Sequence, residues 1–141
     1  AVGAKVHLPV MVPDALLFMA DPHAVISDGI ISGTGVECTT QVSAKIELVK
    51  ESAVNRPILD HAGTIQILGF GETVEAATRD ASNASVKFLS KNTDLNDKEA
   101  YMLLGIIGEL RIGTSPRPIM AARLIIPKEI MIDAGWTGDV T

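Results

Sequence analysis

The chain has 141 residues, 47% of them hydrophobic, so it is long enough to bury a core and too apolar to be disordered. A net charge of −5 and scattered basic residues argue against a nucleic-acid surface, which needs clustered Lys and Arg. Cys38 stands alone, which excludes an internal disulfide framework, and no apolar run approaches the roughly 20 residues that span a bilayer.

These limits predict one domain over residues 1–141, with a reducing, cytoplasmic setting as the default. No initiator Met is present, so the chain is expected to be processed or a piece of something longer. Residues 5–12 alternate like a strand, and Pro9, which has no N–H for a ladder, places it at an edge or bulge. His7 within it is expected to face solvent. Pro13-Asp14 makes a turn, and the short apolar run 15–20 reads as a buried strand. A Gly/Thr-rich strand is expected over 30–37.

Over 36–50, Val42, Ala44, Ile46 and Leu48 share one parity while Gln41, Ser43, Lys45 and Glu47 share the other, the period of a sheet with one wet face. Cys38 in this pattern reads as a small buried hydrophobe. A loop over 51–56 ends at Pro57, and further strand follows over 58–70. Gly69-Phe70-Gly71 reads as a strand-to-helix turn.

The period then becomes helical, with Val74, Ala77, Ala81, Ala84 and Phe88 on one face, Thr73 as N-cap and Lys91-Asn92 at the end. A second helix starts at Asn96, whose spacing to Glu99 resembles a capping box. Its apolar run over 100–110 predicts deep burial, with Gly105 and Gly108 allowing close backbone approach to a neighbour and Gly113, Pro116 and Pro118 ending it. Residues 121–126 return as a strand, and 133–141 form a polar tail. Strands followed by two helices and a strand predict an α+β fold, a largely antiparallel sheet or sandwich with two adjacent helices packed on it.

No phosphate-cradling glycine loop, G-x-S-x-G elbow or H-E-x-x-H helix is present. The segment that could carry chemistry is 20–29, where Asp21, His23 and Asp28 cluster. In an extended segment, residues two apart share a face, so Asp21 and His23 can address one object. Carboxylate oxygen with imidazole nitrogen suits zinc and related divalent metals. The same pair is also what an ordinary surface hydrogen bond looks like. Asp28-Gly29 reads as a third ligand or as a plain turn. Glu37 reads as a partly buried functional carboxylate or as a solvent-facing strand residue. Asp60-His61 is read as structural.

The run KVHLPVMVPDALLFMADPHAVISDGIISGTGVE over 5–37 resembles the acetamidase/formamidase family, as do AYMLLGIIGELRIG over 100–113 and ARLIIPKEIM over 122–131. Within the family pattern G-D-x-H-A-x-Q-G-D-G-E-x-x-G-T-x-x-E, the residues Asp21, His23, Ala24, Asp28, Gly29, Gly33, Thr34 and Glu37 match. Ala20, Ile26 and Ile30 stand where the pattern has Gly, Gln and Glu.

The resemblance implies metal-dependent hydrolysis of short linear amides of the formamide or acetamide type to carboxylate and ammonia. Asp21 and His23 would hold a divalent metal, with zinc the usual expectation. Asp28 and Glu37 would be the catalytic carboxylates, orienting water or shuttling its proton. No other cofactor is expected. The chain corresponds to the C-terminal half of such proteins. The expected partners are therefore a small amide substrate and either further copies of the chain or a companion chain supplying the upstream half, with no nucleic acid or membrane. The alternative, motivated by Ile26 and Ile30, is a non-catalytic structural or assembly subunit with a degenerate amidase-like site.

Overall fold

The computed structural model describes residues 2–50, 52, 54–114 and 118–140. Eight elements follow in order: β1 (Lys5–His7), β2 (Ile58–His61), β3 (Thr64–Gly71), α1 (Val74–Asn92), α2 (Asp97–Ile107), β4 (Glu109–Thr114), β5 (Met120–Pro127) and α3 (Lys128–Asp133). The strands form one antiparallel sheet in the order β1-β2-β3-β5-β4. The α+β architecture expected from the sequence is thus present.

The core lies between the sheet centre and α1. Ile65 and Ile67 on β3 sit opposite Ile126 and Leu124 on β5, and all four pack with Ala77, Ala81 and Leu89 of α1. Small residues let the helix lie close: a Cβ on Gly69 would come within 2.6 Å of the Ala77 carbonyl and collide with the Ala81 nitrogen. Thr73 caps α1 by accepting from the Ala76 N–H at 3.1 Å, as its sequence position predicts. The Asn96–Glu99 capping box of α2 forms in full.

The second helix departs from expectation. It stops at Ile107 because Gly108 is its C-cap, and residues expected to continue it form β4 on the far side of β5. Gly113 therefore lies in a strand instead of ending a helix, and Pro116 falls outside the described residues. Only Ala100 and Leu104 of α2 are buried, while Tyr101, Met102 and Ile106 are exposed. A Cβ added at Gly105 would meet no atom of the described residues within 4 Å, so none of them explains that glycine by close approach. The tail is also more ordered than predicted. It begins at the last residue of α3 and holds a buried Trp136, whose Nε1–H donates to the Asp139 carbonyl at 3.0 Å.

The larger correction concerns the first fifty residues. The strand expected over 5–12 is confined to β1, and the stretches 15–20 and 36–50 form no ladder among the described residues. Leu16, Phe18, Val42, Ile46 and Leu48 are exposed. A strand needs an adjacent strand to satisfy its N–H and C=O groups, and among the described residues the period-2 pattern has no such partner. Over 30–37 the only strand-type pairing among the described residues is one bridge, between His23 and Glu37. Cys38 is half-buried, and His7 does not simply face solvent: its Nε2 is buried and has no hydrogen-bond partner among the described residues. Asp60 is structural as expected, paired with Lys128. Part of the loop expected over 51–56 lies outside the described residues.

Candidate functional site

Residues 21–37 leave the body of the chain and return on themselves. The loop is closed at its base by two backbone hydrogen bonds, from the Ala24 N–H to the Val36 carbonyl and from the Val36 N–H to the Val25 carbonyl, both 2.9 Å. This closure sets His23 opposite Glu37. The turn needs Gly35: a Cβ there would stand 2.7 Å from the His23 ring carbon Cδ2 and 2.8 Å from the Val25 carbonyl.

Three donor side chains converge at the base. His23 Nε2 is 3.1 Å from Glu37 Oε1 and 3.9 Å from Asp21 Oδ1. One ligand atom from each of Asp21, His23 and Glu37 lies within 4.8 Å of the others. Asp21 reaches this position with φ at 61°, a left-handed conformation that Asp tolerates better than most residues, and not through the extended geometry read from the sequence. The His23 side chain is 9% exposed, whereas those of Asp21 and Glu37 are 77% and 67% exposed. The imidazole thus forms the floor of the group and the carboxylates its open rim.

The Thr34 hydroxyl donates to Glu37 Oε1 at 2.8 Å. That hydrogen bond, opposed by desolvation and joined by the nearby His23, holds the Glu37 carboxyl below the usual glutamate range. Glu37 is therefore an ionised acceptor at neutral pH. Two donors each about 2.1 Å from a zinc ion stand at most about 4.2 Å apart, so the His23–Glu37 and Asp21–His23 separations fit a shared divalent cation. The donor chemistry, one imidazole and two carboxylates, fits as well.

Asp28 is not part of this group. It sits at the far end of the loop, where the Arg123 guanidinium donates to its Oδ2 at 2.7 Å and Arg111 Nη1 stands 3.8 Å from the same oxygen. Thr34 and the two arginines are contributors to which the sequence alone assigned no role. The available signal was the placing of Arg111 and Arg123 in otherwise apolar runs. A cavity of about 270 Å³ between α1 and the segment before β2 is lined by Arg56, Asp80, Lys87 and Phe88, and no member of the group lines it. No helix among the described residues is long and apolar enough to cross a membrane.

The sequence profile of the acetamidase/formamidase family matches residues 1–133. The chain belongs to that family. An acetamidase from Bacillus halodurans superposes with a TM-score of 0.89 at 33% identity, over 94% of this chain and 45% of its own. A predicted acetamidase/formamidase from Thermoanaerobacter tengcongensis gives 0.88 at 29% identity, over 94% and 44%. An acetamidase from Yersinia enterocolitica gives 0.87 at 32%, over 92% and 39%. The chain spans less than half the length of these solved acetamidases. No curated protein matches it.

Against the resembled pattern, the departures at Ala20, Ile26 and Ile30 fall beside or on the loop and not on its donors. Ile26 is exposed, and Ile30, standing where the pattern has Glu, adopts a φ of 44°. A β-branched residue is rarely found in that region.

Proposed function

We propose that this chain carries part of the site of a metal-dependent hydrolase of short linear amides, releasing ammonia and the carboxylate. The observation that carries the reading is the convergence of Asp21, His23 and Glu37, within the part of the chain that matches the family. These residues would hold one divalent cation, with zinc the best fit to the donor set. Bound there, such an ion supplies Lewis-acid polarisation of an amide carbonyl and a water of lowered pKa.

The chain's own residues then divide the work. His23, fixed by the backbone closure of the loop, presents one nitrogen from a nearly buried position. Glu37, kept ionised by Thr34, offers a carboxylate at the open rim, where its second oxygen can accept a proton from water. Asp21 supplies the remaining acid. The exposed apolar residues of the first fifty are proposed to be covered by further protein, either other copies or a companion polypeptide corresponding to the unmatched portion of the relatives.

The test is ammonia release from formamide and acetamide, with zinc supplied, by wild type and His23→Ala. Turnover in the wild type that falls at least a hundredfold in the variant supports the reading. Equal rates in both remove His23 from the chemistry. The second reading, a non-catalytic subunit, is favoured by Ile30 in place of a carboxylate. It predicts no turnover in wild type even with zinc bound.

A further inference from the structure

We propose that Arg123 is a positioning residue for the Asp21, His23 and Glu37 group, acting through Asp28 to clamp the loop that carries all three donors onto the sheet. The proposal rests on the metal reading above. Arg123 lies on β5 between Ala122 and Leu124, which face α1, so its side chain leaves the sheet on the other side. There its two terminal nitrogens divide: Nη1 donates to Gln66 Oε1 at 2.8 Å and Nη2 to Asp28 Oδ2 at 2.7 Å. The fork thus ties β3 and the loop tip to β5.

A second contact sits beside the first. The Gly29 N–H donates to the Gly113 carbonyl at 3.2 Å. That carbonyl is available because the β4–β5 register shifts between Ile112 and Thr114, which lifts Gly113 out of regular pairing. Asp28 has a further reason to stay. Arg111 and Arg123 are direct partners across β4 and β5, and like charges facing each other across a ladder repel. Asp28 approaches both guanidinium groups and, with Glu109, which accepts from Arg111 Nε at 2.6 Å, balances the pair. Loss of its charge would therefore release the loop and leave Arg123 without its carboxylate partner, while Arg111 keeps Glu109.

Ile30 shows that the clamp constrains the backbone. A β-branched residue with φ at 44° persists only where its surroundings over-determine it, and the two preceding residues, Asp28 and Gly29, are the ones held by the sheet. From that fixed tip the chain runs back to His23 on one side and Glu37 on the other. The clamp thereby sets the separation of the donors without touching them.

The test compares Asp28→Asn and Arg123→Met with wild type in the intact protein, using hydrogen exchange and zinc affinity measured against a competing chelator. Exchange at the Ala24 and Val36 amides should accelerate about tenfold or more, and zinc should bind about tenfold more weakly, as loss of a supporting contact typically costs. The Ile65 and Ile67 amides of β3 should be unchanged, and the double variant should be no worse than the worse single one. If Arg123→Met fails to fold, Asp28→Asn, at an exposed loop tip, carries the test. Unchanged exchange at Ala24 and Val36, or acceleration shared equally by β3, overturns the proposal. So does loosened exchange with wild-type zinc affinity. A wild type that takes up no zinc overturns the metal reading instead. The exchange data then decide the clamp alone, upholding it if accelerated and overturning it if not.

Discussion

His23 Nε2 meets Glu37 Oε1 at 3.1 Å across a bridge that is one residue pair long. The pairing brings a nearly buried base to an exposed acid, and the backbone that does so depends on one glycine. Gly35 passes so close to the imidazole that no side chain fits between them. The site is therefore more sensitive to its loop backbone than to most of the side chains around it.

Replacing Gly35 with Ala should abolish zinc binding although no donor is altered. The added Cβ would stand 2.7 Å from His23 Cδ2 and 2.8 Å from the Val25 carbonyl, so the ring or the loop backbone must shift, which disturbs the His23–Glu37 pairing. The loop is peripheral to the core, and the thermal midpoint should move little. Zinc titration paired with thermal unfolding checks both halves. Retained zinc affinity would show that the loop absorbs the added atom.

Stability should fall on acidification, in part through His7. Burial, the largest influence, lowers its pKa; Lys5 and Lys128 act in the same direction and Asp60 opposes. With the folded value below the unfolded one, the unfolded chain binds more protons as pH drops from about 6.5, so folding is progressively disfavoured there. Above that range His7 is neutral in both states and contributes no slope. Urea midpoints at pH 7.5 and 5.5 should differ more in wild type than in His7→Phe. An identical difference in the two proteins would remove His7 from the account.

Two glycine substitutions should have opposite signs. Gly69→Ala drives a Cβ into the Ala77 and Ala81 backbone of α1 and should destabilise by about 3 kcal/mol or prevent folding. Gly105→Ala places a Cβ in open space within a helix and should stabilise by about 0.4–1 kcal/mol. Chemical denaturation of both variants reads the contrast directly.

What the sequence reveals divides along the range of the interactions. The caps at Thr73 and Asn96 and the alanine face of α1 were legible because each is decided within a few neighbouring residues. The pattern over 36–50 carries a local preference for strand, yet pairing is non-local and no partner strand stands beside it among the described residues. At β4, apolar residues on both sides of Gly108 disguised a helix end as a helix interior. Within the site, the two-residue spacing drew attention to Asp21 and His23, yet they converge through a left-handed Asp21 and not through the extended geometry that spacing implies, while Glu37 stood out by its setting in a strand pattern and by the family resemblance. The partner of Asp28 was not, since Arg123 lies 95 residues away and meets it only after β5 is threaded into the sheet.

The most direct test of the central claim is a zinc titration of chelator-stripped protein, wild type against His23→Ala and Glu37→Gln. Wild type should take up one equivalent and each variant should bind at least tenfold more weakly, because each removes one of the converging donors. Equal affinity in wild type and His23→Ala, or no uptake by wild type, would contradict it.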